Sequence, residues 1–298
     1  MAEKIEITHE IPRNIAIYGK AGIGKSVISA HLSVALSKLG EKVIQVGCDP
    51  KRDSIALLCG GIMPTILEQL KMVDAETEEP VEMTEEILDK VMFRGYSDVL
   101  CCESGGPRPG IGCAGRGVLV AVQLLEEFNV FKRFGITFGI YDVLGDIVCG
   151  GFSQPMRGGH AKEIYIVVCG EPLTLYITNE ILKAVDRIIG EGIEVGVAGL
   201  IDNQRNVSHE KEIVEEFGRR VGVPVIEHVP RSLKVQEAEA MGKTVLEAFP
   251  DSDQAEVYRG LAKKVLENKH IYMPSPLPGM DDVMDTVKMY IKKNKEEL

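Results

Sequence analysis

The stretch Gly19-Lys20-Ala21-Gly22-Ile23-Gly24-Lys25-Ser26 meets the pattern G-x-x-x-x-G-K-[S/T], whose residue types suit a polyphosphate. Glycines without a Cβ let backbone N–H groups close on phosphate oxygens. A helix starting there adds unpaired N–H groups and the positive end of its dipole. Gly19, Lys20, Gly22, Ile23, Gly24, Lys25, Ser26 and Val27 are therefore the expected phosphate-binding residues. Lys25 is expected at the β- and γ-phosphates, and the Ser26 hydroxyl on Mg²⁺. A glycine-rich turn that binds nothing is the plain alternative, and Lys20 on its own reads equally as a solvated lysine.

Two further polar stretches have residue types that suit phosphate chemistry. In Gly47-Cys48-Asp49-Pro50-Lys51-Arg52-Asp53-Ser54, Asp49 is placed to act on an attacking water or through the metal, and Asp53 to sense a γ-phosphate; Lys51 stands between them. A solvated turn is the alternative. Asp142 follows an apolar run, and an aspartate there is expected to hold Mg²⁺ through its water shell. Asn203 ends another apolar run, where its amide could read an adenine edge. Cys113 and Cys149 each lie among glycines. Two thiolates are too few for tetrahedral zinc or a [4Fe–4S] cluster, each of which wants four protein ligands. A two-fold dimer would supply four, so a cluster bridging two chains is one reading and two buried free thiols the other. Seven residues separate Asp142 from Cys149, so one segment would join a phosphate sensor to a metal ligand.

These residues need a scaffold that brings them to one edge. Apolar runs at residues 15–18, 42–46, 136–141, 163–169, 195–202 and 223–229 read as strands, and helical spacing appears at 27–39, 118–128, 236–241, 255–268 and 280–293. Strand, helix, strand in succession gives a parallel sheet, with ligands at the strands' carboxyl ends. The expected fold class is therefore α/β, a mostly parallel doubly wound sheet flanked by helices. Residues 62–98 read as helices on an acidic surface, and seven carboxylates between Asp74 and Glu86 as a solvated face. Residues 103–117 read as a shaped loop. Cys48, Cys101, Cys102 and Cys169 read as small buried hydrophobes.

With no repeat or low-complexity linker, one domain is expected over 1–298, with a loose leader at 1–12 and an arm and helix at 271–298. A net charge of −11 and an aromatic content of 5% disfavour a nucleic-acid surface, and no apolar run is long enough to cross a membrane. Residues 1–10 are charged and lack an apolar signal region, so a cytoplasmic location is expected. Seven cysteines in that compartment favour thiols or metal ligands over disulfides.

The sequence resembles the nitrogenase iron protein (dinitrogenase reductase) family and its relatives in tetrapyrrole reduction. The residues that carry the likeness are Tyr18-Gly19-Lys20, Gly22-Ile23-Gly24-Lys25-Ser26, Gly47-Cys48-Asp49-Pro50-Lys51, Glu103 to Pro107, Gly112 to Gly117 and Tyr141 to Phe152, with Val229-Pro230-Arg231 and Gln254 to Tyr258. The resemblance implies a P-loop NTPase with a deviant Walker A loop, in which Lys20 crosses to the partner subunit's nucleotide. It implies a homodimer sharing one [4Fe–4S] cluster on Cys113 and Cys149 of both chains, and MgATP on each chain. It further implies ATP-driven electron transfer to a separate nitrogenase or nitrogenase-like catalytic protein, with a ferredoxin or flavodoxin as donor. By the same resemblance Lys20, Lys25, Ser26, Asp49, Asp53, Asp142 and Asp146 take nucleotide roles, and Asn203, Pro230, Arg231, Gln236 and Gln254 surround the base. Arg116 matches a partner-facing arginine that some members ADP-ribosylate.

The chain departs from the family pattern at Ala21, Arg52, Val27 and Asp202, and at Arg108, where an acidic residue is usual. Reversing a charge on the expected docking face changes which partner is selected. A tetrapyrrole, such as the nickel cofactor precursor of methanogens, or a sulfur compound joins dinitrogen among the candidate substrates. An ATPase of the partitioning or scaffold type and a non-enzymatic cluster carrier are the rival readings.

Overall fold

In this computed structural model, which describes residues 3–70, 84–106, 115–145 and 153–296, one sheet runs through the molecule. Its strands are β1 (Lys4–Glu6), β2 (Arg13–Gly19), β3 (Val43–Cys48), β4 (Phe93–Arg94), β5 (Leu100–Glu103), β6 (Phe138–Val143), β7 (Glu163–Val168), β8 (Gly196–Asn203), β9 (Val225–Val229) and β10 (His270–Tyr272). The order is β1-β10-β8-β7-β2-β6-β3-β5-β4. One edge of β8 is shared, with β10 pairing at Val197 and β9 at Leu200 to Asn203. From β9 through β5 every pairing is parallel; β1, β10 and β4 join antiparallel.

The strand sequences explain the arrangement. Every residue of β3, β6 and β7 is buried. Strands apolar on both faces require helices on both faces, which is the doubly wound solution. Alternation within β2 divides the core. Ala16 and Tyr18 belong to one cluster, with the helices Gly115–Glu127, Pro172–Gly190 and Glu210–Val221. Ile15 and Ile17 belong to the other, with the helices Lys25–Lys38 and Asp253–Glu267. The last helix, Met280–Glu296, lies against Pro172–Gly190 and Glu210–Val221.

Local readings of the sequence differ from the structure in three places. Part of the expected loose leader, Lys4–Glu6, pairs with β10, with Lys4 opposite Tyr272 and Glu6 opposite His270. The strand expected at 136–141 runs Phe138–Val143, because its ladder with β3 continues to Cys48↔Val143. Asp142 consequently lies inside a strand rather than after one. Residues 62–98 hold the short helices Ile66–Gln69 and Glu85–Val91 and also the edge strand β4, and Glu103, expected in a loop, ends β5. Most of the acidic run after Asp74 lies outside the described residues.

One buried ion pair ties the amino ends of β2 and β7. Arg13 Nε donates to Glu163 Oε1 at 2.8 Å and Nη2 to Oε2 at 2.6 Å, while Nη1 donates to the Leu266 carbonyl at 3.1 Å. The two side chains are only 7% and 4% exposed. Removing one partner strands a buried charge. Arg13→Met should cost about 3 kcal/mol, and adding Glu163→Leu should recover at least half of that loss in denaturant midpoints. A double variant no more stable than the single one would contradict this account.

Candidate active site

The carboxyl ends of β2, β3, β5, β6 and β8 meet along one edge, where the residues singled out for phosphate chemistry collect. The loop after β2 depends on its glycines. Gly19 has φ +147°, and a Cβ there would stand 2.5 Å from the Val167 carbonyl oxygen. Gly24, at φ +101°, caps the helix Lys25–Lys38 in a left-handed conformation that lets that helix start at Lys25. Two side chains at and just past the end of β8 brace the loop: Asn203 Nδ2 donates to the Ile23 carbonyl and Arg205 Nη2 to the Gly22 carbonyl, both at 2.7 Å. Asn203, expected at an adenine edge, thus already spends one of its two amide N–H donors on the loop.

Behind the loop stand a buried cation and a buried anion. Lys25 is 7% exposed and Asp142 1%. Burial lowers the Lys25 ammonium, against the charges of Asp142, Asp49 and Asp53. Burial likewise raises the Asp142 carboxyl, against the Lys25 charge and the hydroxyls of Ser26 and Ser54. Neither hydroxyl completes a hydrogen bond of ordinary geometry to it, and among the described residues neither carboxylate oxygen has a hydrogen-bond partner. A buried carboxylate with open lone pairs beside a phosphate loop fits the donor water of a hydrated Mg²⁺.

A second carboxylate shares its rung. Gly47 pairs with Asp142 on one side and with Glu103 on the other. A Cβ on Gly47 would fall within the Glu103 carboxyl group, so the Glu103 side chain occupies the space that glycine leaves. Glu103 Oε1 accepts the Ile55 N–H at 2.9 Å, just past the Asp49–Ser54 turn. Glu103 is fully buried, and burial pushes it up to about 8, with the Asp142 and Asp53 charges adding and the Ile55 N–H opposing. Gln45 joins the same turn to the core, with Nε2 donating to the Ser54 carbonyl and hydroxyl at 2.9 Å each and Oε1 accepting from Ser33 at 2.7 Å. Sequence reasoning missed Glu103 as a site residue; the only hint was a glycine inside β3.

Other expected residues are placed less centrally. Asp49 is 16% exposed, accepts the Lys51 N–H at 3.0 Å and lies 3.8 Å from Lys51 Nζ. Asp53 is exposed. Lys20 offers its carbonyl to Lys25 Nζ at 3.4 Å, and the Val27 carbonyl accepts from His31 at 2.7 Å. Pro230, Arg231 and Gln236 are exposed, whereas Gln254 is buried against Tyr258. Asp202 is buried and pairs with His228 Nδ1 at 2.7 Å; burial raises its carboxyl to about 6. Arg108, Cys113, Asp146 and Cys149 lie outside the described residues, and Arg116 is described only as backbone in the helix Gly115–Glu127.

The described roots of the two cysteine segments are informative nonetheless. A Cβ on Gly106, seven residues before Cys113, would stand 2.5 Å from Pro50 Cβ. A Cβ on Gly145, four residues before Cys149, would stand 2.6 Å from the Ala21 amide nitrogen. One root therefore rests on the turn after β3 and the other on the phosphate loop.

Residues 13–292 match the family described as 4Fe-4S iron sulfur cluster binding proteins, NifH/frxC family. The chain belongs to this family. A nitrogenase iron protein of Methanospirillum hungatei is 46% identical over 267 residues, 89% of this chain and 91% of that protein. Among solved structures, the cell division ATPase MinD of Pyrococcus furiosus aligns with a TM-score of 0.62 and 19% identity, over 86% of this chain and 99% of that one. A ParA family ATPase from Chlorobium tepidum aligns at 0.61 and 19%, over 85% and 98%. At such identities these two share the fold, a central sheet flanked by helices. Membership in the NifH/frxC family rests on the sequence, and in this member Gly106 and Gly145 stand against Pro50 and Ala21 at the edge that carries the glycine loop.

The rung makes a pH prediction. Glu103 has a carboxyl raised above its unfolded value, so its contribution to stability is fully present below about pH 4.5 and is lost as pH rises through about 8. Replacing this carboxyl by an amide keeps the neutral shape and the acceptor for Ile55. Glu103→Gln should therefore gain on the wild type between pH 5 and pH 8, by roughly 1–3 kcal/mol, in denaturant titrations of the nucleotide-free protein. Equal stability differences at both pH values would contradict a neutral Glu103.

Proposed function

We propose that the chain is an ATP-dependent reductase component that passes low-potential electrons to a separate nitrogenase-like catalytic protein. Membership in a cluster-binding family supports this reading. The observation that carries the coupling is the pair of contacts Gly106–Pro50 and Gly145–Ala21, since each segment that leads to a cysteine bears on a segment that senses phosphate.

The residues divide the work as follows. The loop amides from Gly22 to Ser26 and the Lys25 ammonium bind the triphosphate of MgATP, the substrate of the hydrolytic step. Ser26 and Asp142 hold Mg²⁺, directly and through water respectively. Asp49 orients the attacking water, and Lys20 reaches the nucleotide of the second chain in a homodimer. Asp53 and Asp146 respond to the γ-phosphate. Cys113 and Cys149 of both chains ligate one [4Fe–4S] cluster, which supplies a single electron at low potential when bound. Pro230, Arg231, Gln236 and Gln254 contribute to the base site, with Asn203 placed between it and the loop. When the γ-phosphate leaves, Pro50 and Ala21 shift, and the cysteine segments resting on them shift too. Arg108 and Arg116 face the partner, and the charge at Arg108 points to an acceptor other than the usual nitrogenase protein. A ferredoxin or flavodoxin is the donor, and the cytoplasm is the compartment where these partners meet.

The test is anaerobic purification followed by iron and nucleotide measurements. The protein should carry about four irons per dimer, and Cys113→Ala should lose nearly all of it while keeping its circular-dichroism spectrum. Iron retained by Cys113→Ala would refute the ligand assignment. Lys25→Ala should weaken MgATP binding at least about tenfold by calorimetry, through loss of a buried charge-assisted bond of roughly 1.5–3 kcal/mol. An iron-free chain that still hydrolyses MgATP would favour a partitioning-type ATPase instead.

A further inference from the structure

The short helix Ile66–Gln69 plays no part in the site described so far, yet both flanks of the Cys113 segment meet on it. Before Cys113, the Leu67 N–H donates to the Ser104 carbonyl at 3.2 Å, and a Cβ on Gly105 would stand 2.4 Å from Thr65 Oγ1. After Cys113, a Cβ on Gly117 would stand 2.3 Å from the Gly105 carbonyl oxygen and 3.0 Å from Leu67 Cδ1. Thr65 is buried and caps the helix reciprocally: its Oγ1 accepts the Glu68 N–H at 3.2 Å, and Glu68 Oε2 accepts the Thr65 N–H at 3.0 Å. The other carboxylate oxygen, Glu68 Oε1, accepts from Arg52 Nη1, in the turn after β3. Arg52 stands at φ +61°, a left-handed conformation uncommon for a residue with a Cβ, and its N–H donates to the Asp49 carbonyl at 3.1 Å.

We propose that Arg52 and Glu68 form a clasp that carries movement of the Asp49–Ser54 turn to the Ile66–Gln69 helix, and so to both flanks of the Cys113 segment, which makes Arg52 a positioning residue. An ion pair whose partners are both partly open to solvent contributes little when two long side chains must be ordered to make it. That cost is reduced here, because the capping box already orders Glu68 and the bond to Asp49 already holds the Arg52 backbone. The guanidinium grips the same carboxylate that caps the helix, so a shift of the turn pulls on the cap rather than on a free side chain. Gly106 against Pro50 joins turn and segment by packing, and the clasp joins them a second time by charge. A residue at position 52 without a long cationic side chain cannot make this tie, so the clasp belongs to this chain's departure at Arg52 rather than to the family pattern.

The transmission rests on reading the Asp49–Ser54 turn as responsive to phosphate and Cys113 as a cluster ligand; the contact itself does not. Two substitutions isolate it. Arg52→Ala removes the guanidinium and keeps a Cβ, so the left-handed backbone keeps its cost. Glu68→Gln removes the charge and keeps a carbonyl oxygen for the Thr65 N–H, since glutamine serves in a capping box as glutamate does. Neither change touches Pro50, Gly106 or the phosphate loop.

The experiment uses the anaerobically purified, iron-loaded full chain and measures how fast a ferrous chelator removes its iron, with and without MgATP. In the wild type MgATP should change that rate by roughly threefold or more. In Arg52→Ala and in Glu68→Gln the change should fall to less than about half of that, with the MgATP dissociation constant kept within about twofold by calorimetry, and the double variant should resemble either single one. Should Arg52→Ala fold poorly, Glu68→Gln carries the test alone. A wild-type rate that MgATP leaves unchanged, a full response in either single variant, or losses that add in the double variant overturns the clasp. Hydrogen exchange in the nucleotide-free chain reads the contact apart from any cluster: the amides of residues 66–70 should exchange roughly twofold faster or more in each single variant than in the wild type. Equal exchange overturns the clasp. A wild type without iron, or without MgATP binding, counts against the proposed function, and the exchange comparison still decides the clasp.

Discussion

A carboxylate held in the core without a hydrogen-bond partner is costly, and among the described residues Asp142 is such a group. The surrounding structure offsets this cost. Lys25 supplies the opposite charge, and Ser26 and Ser54 bring hydroxyls close. The remaining deficit favours whatever brings donors to Asp142. A hydrated cation with a polyphosphate does so, and binding energy of that kind stabilises the folded state by mass action.

Glu103 takes the same logic one strand further. Its neighbour Asp142 bears on its proton, and its backbone partner Ile55 follows the turn that carries Asp49 and Asp53. Ser104 continues the ladder by donating to the Gly47 carbonyl at 2.8 Å, and Gly106 meets Pro50. The strand that leads toward Cys113 is therefore tied to the nucleotide side at three successive points. The route toward Cys149 is shorter, from Asp142 through Gly145 onto Ala21. Two routes of different length from one edge suit a protein whose family binds a 4Fe-4S cluster.

Much of the fold was legible because its signals are local. The run around Ile15–Tyr18, the glycine loop and the following helix are each set by a few adjacent residues, and β3, β7 and β8 announce themselves as apolar stretches. β1 was illegible because Lys4–Glu6 has no pattern of its own and becomes a strand only by pairing with β10. β5 was illegible because four residues, two of them cysteines, run straight into glycines. Asp142 could be found because it follows the apolar run of its own strand. Glu103 could not, because its importance comes from the strand beside it.

What the sequence alone determined is what depends on neighbours along the chain: a phosphate loop at Gly19–Ser26, a parallel sheet and the presence of two cysteines in glycine-rich segments. What only the tertiary structure decided is what depends on register between strands: the shared rung of Glu103, Gly47 and Asp142, and the turn of Asn203 and Arg205 back onto the loop. The reason is geometric. Backbone preference and apolar period act over a few residues, whereas a hydrogen-bonded ladder brings together side chains far apart in sequence, and sliding it by one residue would turn each of them to the other face.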